Sequence, residues 1–248
     1  MLLTEGQTST MSEQTRTEHT HNPSTATDGD AAAELFFTLW TVFKRSAVTQ
    51  GSATGSLQQV IESLDADGVT LRGFYDVSGM REDADVMVWL HGSQPEALQA
   101  AVRKIRRTTE FATAEIVWSA MGVHRAAEFS KSHSPAFSRG VAPAEWVCVY
   151  PFVRSYDWYI LPSEERREML YDHGLKGRDY PQVLSNTVSS FALGDWEWIL
   201  ALEAPDLVDL VDLMRHLRET EARRHVRDEI PFYTGRRIDT AGIAEVLL

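Results

Sequence analysis

The apolar residues from position 34 onward fall into short runs, and the spacing within each run predicts an element of secondary structure. Alternating runs of β-branched and aromatic residues predict strands, whereas apolar residues three or four positions apart predict helices. In the first half the order is β-α-β-β-α-β, which is the order of a ferredoxin-like unit. The predicted elements are strands at 34–44, 68–77, 84–91 and 113–118 and helices at 50–64 and 96–108.

The second half repeats this order of elements. Similar residues of the two halves also lie 110 positions apart, for example Trp40 and Tyr150, or Lys44 and Arg154. The shared order and the shared spacing together indicate an internal duplication. The predicted elements are strands at 144–154, 186–193, 195–203 and 229–238 and helices at 162–174 and 204–218.

Two such units predict an α+β fold in which their sheets join into one antiparallel β-barrel with the helices outside. We expect the interior of this barrel to be wide enough for a ligand. Residues 1–33 contain no aromatic residue, valine or isoleucine, so they are predicted to be a disordered tail. The predicted division is a unit at 34–118, a linker at 119–143 that contributes to the ligand pocket, and a unit at 144–248.

The charge balance limits the classes of partner. With 24 basic and 36 acidic residues the formal net charge is −12, which argues against nucleic acid or an anionic membrane surface. Cys148 is the single cysteine, so an intrachain disulfide is excluded. No apolar run approaches the roughly 20 residues of a membrane span, and the N-terminus lacks a secretory signal pattern. We therefore expect a cytoplasmic protein.

The predicted strand at 144–154 places its side chains alternately on two faces. On one face Tyr150 and Arg154 lie roughly 13 Å apart with Phe152 between them. A phenol and a guanidinium at this spacing suit a large flat ligand with carboxylates, although spacing alone favours a buried tyrosine beside a strand-end arginine. The opposite face is expected to pack under helices, and it consists of Val147, Val149, Pro151 and Val153.

His173 ends the predicted helix at 162–174 and has two interpretations. Because Gly174 follows it, the imidazole fits a helix C-terminus, where the helix dipole favours a cation. Alternatively, the imidazole coordinates a haem iron, since the porphyrin supplies the other four nitrogens and no second protein ligand is needed. His133, in the predicted linker, is a loop histidine of undecided role. Trp158 and Trp198 are more typical of a core than of a pocket.

Four segments, VYPFVRSYDWY, LYDHGLKGRDYP, GDWEWILALE and EIPFYTGRR, occur in this order. Together they resemble the chlorite dismutase superfamily and, within it, the coproheme decarboxylases of actinobacterial type. The resemblance covers residues 34–238. It implies two ferredoxin-like units in a barrel, homopentamers, and haem bound in the C-terminal unit. It also implies hydrogen-peroxide-dependent decarboxylation of coproheme III to haem b, in which propionates 2 and 4 become vinyl groups.

The resemblance assigns roles to several side chains. His173 falls on the proximal iron ligand, Tyr150 on the reactive tyrosine, His133 on the distal base and Arg154 on a propionate contact. A chlorite dismutase has a distal arginine thirteen residues after the proximal histidine, where this chain has Asn186, which argues against chlorite as the substrate. The further expected porphyrin contacts are Pro151, Phe152, Val153, Asn186 and Trp198.

The expected ligands and partners are coproheme, hydrogen peroxide, other copies of the chain and the coproporphyrin ferrochelatase that supplies the substrate. Three alternatives remain open at this point. The chain could be a haem carrier or sensor without turnover, a haem peroxidase or chlorite dismutase of the same fold, or a ferredoxin-like protein that binds no haem.

Overall fold

The computed structural model describes residues 35–48, 53–125 and 134–247, all of which belong to one compact unit. The predicted tail at 1–33 and the predicted distal base His133 lie outside these ranges. The elements of the first half are β1 (Phe37–Arg45), α1 (Leu57–Leu64), β2 (Val69–Asp76), β3 (Val86–Gly92), α2 (Pro95–Ile105) and β4 (Ala114–Val123). Those of the second half are β5 (Trp146–Arg154), α3 (Ser163–Gly177), β6 (Leu184–Ser189), β7 (Trp198–Ala204), α4 (Leu207–Leu217), β8 (Val226–Asp228), β9 (Tyr233–Ile238) and α5 (Thr240–Leu247).

Both halves have the same antiparallel strand pairing, which confirms the two ferredoxin-like units. In the first half β1 pairs with β3 and β4, and β2 pairs with β3. In the second half β5 pairs with β7 and β9, and β6 pairs with β7. The central strands β1 and β5 are buried along nearly their whole length, as expected of apolar strands that are covered on both faces.

The two half-sheets join at both of their edges. Strand β2 pairs with β9 over Phe74–Asp76, and β4 meets β6 at Val123 and Ser189. These pairings close the strands into a ring, and β8 adds one further pairing to β5. The helices lie outside this ring, as the α+β fold class predicted.

Side chains fill the interior of the ring. Trp40, Tyr75 and Trp89 are fully buried there, and they meet Val147 and Val149 from the second half. In the described part of the chain the ring has eight strands, β1–β7 and β9, and a ring of that size is just wide enough for its own side chains. The expectation of a ligand inside the ring was therefore wrong, and the outer surface of the sheet is the remaining place for one.

The helices cover the outer surface unevenly. The outer core of the first half takes buried residues from α1, α2 and α5, and that of the second half takes Leu210 and Leu213 from α4. By contrast, α3 contributes no buried residue although it is 15 residues long. The second half thus has a long helix that packs loosely.

Several predicted boundaries differ from the structure because capping and strand pairing depend on the fold. Strand β4 continues to Val123, so residues 119–123 belong to the sheet and not to a linker. Helix α1 begins at Leu57, where Ser56 and Gln59 form a capping box. Helix α3 continues past Gly174 to Gly177, so His173 does not cap a helix end. The short elements β8 and α5 were not predicted.

Candidate functional site on the outer face of strand β5

The face of β5 that carries Tyr150 lies under α4. Cys148 and Tyr150 pack in one cluster with Leu210 and Leu213 of that helix. Val147 and Val149 point into the ring instead, which reverses the predicted orientation of the two faces. The reason is closure of the ring, which creates a second apolar interior that local patterning does not reveal.

Tyr150 is almost completely buried in this face. Its ring stacks on Phe232, with the centroids 4.5 Å apart, and its hydroxyl donates to Sδ of Met214 at 3.6 Å. Burial raises the pKa of the phenol well above its usual range, and the nearby thiol of Cys148 and carboxylate of Glu229 raise it further. The phenol therefore stays protonated at neutral pH and retains a hydrogen atom that it can give up.

Aromatic side chains continue this face toward the surface. Phe152 and Trp198 are paired across β5 and β7 and stack with their centroids 6.3 Å apart. The indole of Trp198 donates to the hydroxyl of Tyr159 at 3.0 Å, and that hydroxyl donates to Glu197 at 2.8 Å. The face thus offers an aromatic surface suited to a flat macrocycle.

Arg154 lies at the end of the same face. Its guanidinium carbon is 4.2 Å from the ring centroid of Trp158 and 5.0 Å from that of Phe152. Its backbone N–H donates to Glu197 at 2.8 Å, which holds the strand end in place. The structure therefore brings Tyr150, Phe152 and Arg154 together as their alternation predicted.

The imidazole of His173 contacts the hydroxyl of Thr220. Its Nδ1 lies 3.4 Å from the hydroxyl oxygen of Thr220, and that hydroxyl donates its only proton to the carbonyl of Leu217 at 3.1 Å. This contact engages Nδ1 and so orients the ring. No described residue bonds to Nε2, which is the ring nitrogen available to a metal.

The surroundings of His173 favour its neutral form. Burial lowers the pKa of this imidazole, and the positive charges of Arg154 and Arg218 lower it further, while Asp172 opposes them. A neutral imidazole with a free Nε2 is the form that binds a metal. His173 therefore keeps this form to a lower pH than an exposed histidine does.

A charged cluster that spacing along the sequence did not predict lies beside Tyr150. Arg218 and Arg223 both pair with Glu229, whose oxygen Oε2 is 3.1 Å from Nη1 of Arg218 and 2.7 Å from Nη1 of Arg223. Arg218 and Arg223 lower the pKa of Tyr150, and Arg218 also lowers that of His173. The only sequence signal is the density of charge in ETEARRHVRDE, which indicates no particular site.

Three expected ligand contacts do not share the face of Tyr150. Asn186 points into the ring, where its amide accepts from Phe137 N at 2.9 Å and donates to Ala201 O at 3.0 Å and to Glu203 at 2.9 Å. Pro151 and Val153 alternate with Tyr150 and so face away from it. Counting thirteen residues from His173 therefore reaches a buried structural side chain and not a ligand contact.

The arrangement fits an iron porphyrin better than a bare metal ion. Among the described residues no group of three or more histidine, cysteine or acidic side chains could hold a metal. A porphyrin iron needs only one protein nitrogen, which Nε2 of His173 can supply. Phe152 and Trp198 would contact the ring, while Arg154 would receive one of its carboxylates. No described helix is long and apolar enough to cross a membrane.

Comparisons with known proteins agree with this fit. The profile of the chlorite dismutase family matches residues 50–238. A coproheme decarboxylase from Mycolicibacterium smegmatis is 56% identical over 177 residues, which cover 71% of this chain and 77% of that protein. A coproheme decarboxylase from Staphylococcus saprophyticus is 32% identical over 97 residues, which cover 37% of this chain and 39% of that protein.

The fold also matches that of solved structures. Chlorite dismutase from Candidatus Nitrospira defluvii, in complex with imidazole, superposes on this chain with a TM-score of 0.68. The superposition covers 85% of this chain and 94% of that chain, at 16% sequence identity. At this identity the likeness concerns the fold and not the chemistry.

Proposed function

Because this chain belongs to the chlorite dismutase family, we propose that it converts coproheme III to haem b with hydrogen peroxide as the oxidant. Two propionates of the porphyrin become vinyl groups, as the resemblance to actinobacterial coproheme decarboxylases implies. The observation that supports this proposal most directly is the buried phenol of Tyr150, which stacks on Phe232 in the half of the chain that also holds the part-buried imidazole of His173.

His173 is the iron ligand in this proposal. The contact between its Nδ1 and Thr220 orients the ring, so that Nε2 would bind the metal. Arg154 holds a propionate, for which charge-assisted hydrogen bonds contribute roughly 1.5–3 kcal/mol each. When bound, the iron porphyrin supplies the redox chemistry that reduces peroxide and provides the oxidising equivalents for decarboxylation.

Tyr150 transfers the oxidation to the substrate side chain. Its phenol loses an electron and a proton, and the resulting radical takes a hydrogen atom from the β-carbon of a propionate. Loss of a second electron and of carbon dioxide leaves the vinyl group, so each propionic side chain and one peroxide yield a vinyl group, carbon dioxide and two waters. His133, which lies outside the described residues, is proposed as the base that moves the peroxide proton.

The setting of the reaction is part of the proposal. We propose a cytoplasmic homopentamer that receives coproheme from coproporphyrin ferrochelatase. Self-association is supported by exposed apolar residues of the second half, since Val208, Val211 and Ile230 are 64%, 51% and 65% exposed. Light scattering of the purified protein tests this part, and a monomeric mass would contradict it.

Mass spectrometry of the porphyrin after incubation of the protein with coproheme and hydrogen peroxide tests the reaction. We expect products lighter by one and then by two formic acid units, which correspond to one and two vinyl groups. A protein that binds coproheme without any change in mass would be a carrier or sensor. A protein that gains no Soret band with haem or coproheme would remove the proposal altogether.

Chlorite dismutation is the second candidate because of the family profile and the shared fold. Because the side chain of Asn186 faces the ring interior, its identity does not discriminate between chlorite dismutation and decarboxylation. Strand β6, of sequence LSNTVS, carries no arginine on either face, so it offers no distal guanidinium. We therefore expect no oxygen evolution from chlorite, and an oxygen electrode measures it directly.

A further inference from the structure

The charged cluster of Arg218, Arg223 and Glu229 has the geometry of a carboxylate-binding site that is already filled. Arg218 uses two nitrogens of its guanidinium on the two oxygens of Glu229, and Arg223 adds a third contact at 2.7 Å. A bidentate pair of one guanidinium with one carboxylate, as Arg218 forms here, is among the strong and specific ways to bind a carboxylate, and the charge of Arg223 adds to it.

The exposure of the three side chains shows which of them a ligand could replace. The side chain of Glu229 is 14% exposed, whereas those of Arg218 and Arg223 are 38% and 37% exposed. The carboxylate thus lies inside the cluster, whereas the two arginine side chains are partly exposed, although Nη1 of Arg223 is itself buried. A carboxylate from outside could reach both arginines if Glu229 moved aside.

The cluster also lies next to the reactive groups. Arg218 follows the end of α4, Arg223 lies in a short 3-10 helix at 221–225, and Glu229 lies between β8 and β9. The same connection carries Phe232, which stacks on Tyr150. The connection that carries Glu229 therefore also contacts the ring of Tyr150.

From these contacts we infer that Arg218 and Arg223 form a second carboxylate subsite, which takes the porphyrin side-chain acid facing Tyr150. Glu229 occupies this subsite as an internal carboxylate whenever no substrate is bound. The inference rests on the proposed function and adds to it the basis on which substrate is distinguished from product.

Competition between the two carboxylates explains that distinction. The substrate acid displaces Glu229 and gains two guanidinium partners. Once the acid has left as carbon dioxide, the remaining vinyl group cannot accept hydrogen bonds, and Glu229 returns to the arginines. The cluster then binds the four-carboxylate porphyrin and disfavours the two-carboxylate product, so that specificity is a difference of two affinities.

Fluorescence titration with metal-free coproporphyrin III and protoporphyrin IX tests this inference without any turnover. These probes lack iron, so His173 contributes little and the carboxylates decide the difference between them. Glu229→Gln removes the competing charge while keeping the shape, so affinity for coproporphyrin should rise about tenfold. Affinity for protoporphyrin should change less than about threefold.

The double variant Arg218→Gln/Arg223→Gln should show the opposite effect. We expect its affinity for coproporphyrin to fall by roughly tenfold or more, because two charge-assisted contacts are lost. Retained binding of protoporphyrin shows that the variant is folded. Should this variant not fold, the ratio of affinities in Glu229→Gln decides the matter alone.

Arg227→Gln is the matched control for charge. Its guanidinium bonds to the hydroxyl of Tyr156 at 2.6 Å and takes no part in the cluster. This variant should leave the ratio of the two affinities unchanged.

Two results would overturn the inference, and they differ in what else they remove. If the wild-type protein converts coproheme but Glu229→Gln has the wild-type ratio of affinities for coproporphyrin and protoporphyrin, the inference fails and the proposed function stands. If the wild-type protein binds neither porphyrin, both fail.

Discussion

Nδ1 of His173 lies 3.4 Å from the hydroxyl oxygen of Thr220, and this contact orients the imidazole ring. The hydroxyl of Thr220 also donates a hydrogen bond to the carbonyl of Leu217 at 3.1 Å. Thr220 is 5% exposed, so water does not compete readily for this bond. A residue that hydrogen-bonds a metal-binding histidine commonly matters nearly as much for metal binding as the histidine itself.

We therefore expect Thr220→Val to weaken the binding of coproheme by about tenfold or more, because the ring loses its fixed orientation. Thr220→Ser keeps the hydroxyl and should bind like the wild-type protein. Absorption titration with coproheme measures the effect, and metal-free coproporphyrin serves as the comparison. Equal losses for both porphyrins would show that Thr220 shapes the pocket and does not act through His173.

Replacing Tyr150 by phenylalanine should separate binding from decarboxylation. Tyr150→Phe retains the ring that stacks on Phe232 and loses only the hydroxyl. We expect coproheme binding to persist and the formation of vinyl products to stop, as measured by mass spectrometry after addition of peroxide. Tyr156→Phe, an exposed tyrosine outside the site, is the control and should behave like the wild-type protein. Haem b formation at the wild-type rate by Tyr150→Phe would falsify the radical role.

Asn186 should matter for stability and not for ligand binding. Asn186→Ala leaves the N–H of Phe137 without its acceptor and removes a donor from Glu203, both in the ring interior. We expect the free energy of unfolding, measured by urea denaturation, to fall by about 3 kcal/mol. The affinity for coproporphyrin should stay the same. Thr187→Ala, one position along β6, is the control and should lower stability by less than about 1 kcal/mol.

Acid should destabilise the fold through His91. Burial, together with the positive charge of Arg72, lowers the pKa of His91 to about 4. His91 binds a proton near pH 6.5 in the unfolded chain but only near pH 4 in the folded protein. The contribution of His91 to the free energy of unfolding is therefore fully present above about pH 6.5 and is lost as the pH falls toward 4. Over this window the free energy of unfolding falls by about 3 kcal/mol.

His91→Gln cannot titrate and provides the comparison for this effect. Urea denaturation of both proteins between pH 7.5 and 4.5 isolates the contribution of His91, because all other groups titrate in both. The wild-type protein should lose more stability than the variant as the pH falls. Parallel curves would mean that His91 is already accessible to protons in the folded protein.

The elements and the Tyr150 face were predictable from the sequence because they depend on local periodicity. Alternation along β5 places Tyr150, Phe152 and Arg154 on one face whatever the rest of the fold does. The repeat of β-α-β-β-α-β was visible for the same reason. The roles of Tyr150 and His173 remain predictions that the experiments above test.

Contacts between distant parts of the chain were not predictable in this way. The buried pair of Arg72 and Glu203 joins residues 131 positions apart and lies where β2 and β7 approach across the ring. Arg218, Arg223 and Glu229 converge because α4, the short helix at 221–225 and the connection to β9 meet beside Tyr150. Nothing in the spacing of these residues distinguishes them from solvated surface charges.

The sequence by itself determined the two ferredoxin-like units and which residues share a face of each strand. Both depend on the periodicity of helices and strands, which is a property of neighbouring residues. Only the tertiary structure decided which face of β5 is covered by α4 and which fills the ring. That choice depends on closing the sheet through β2–β9 and β4–β6, which buries Val147 and Val149 against Trp40 and Trp89. Burial of apolar surface between remote segments favours this arrangement, and a local pattern cannot encode which remote segments will meet.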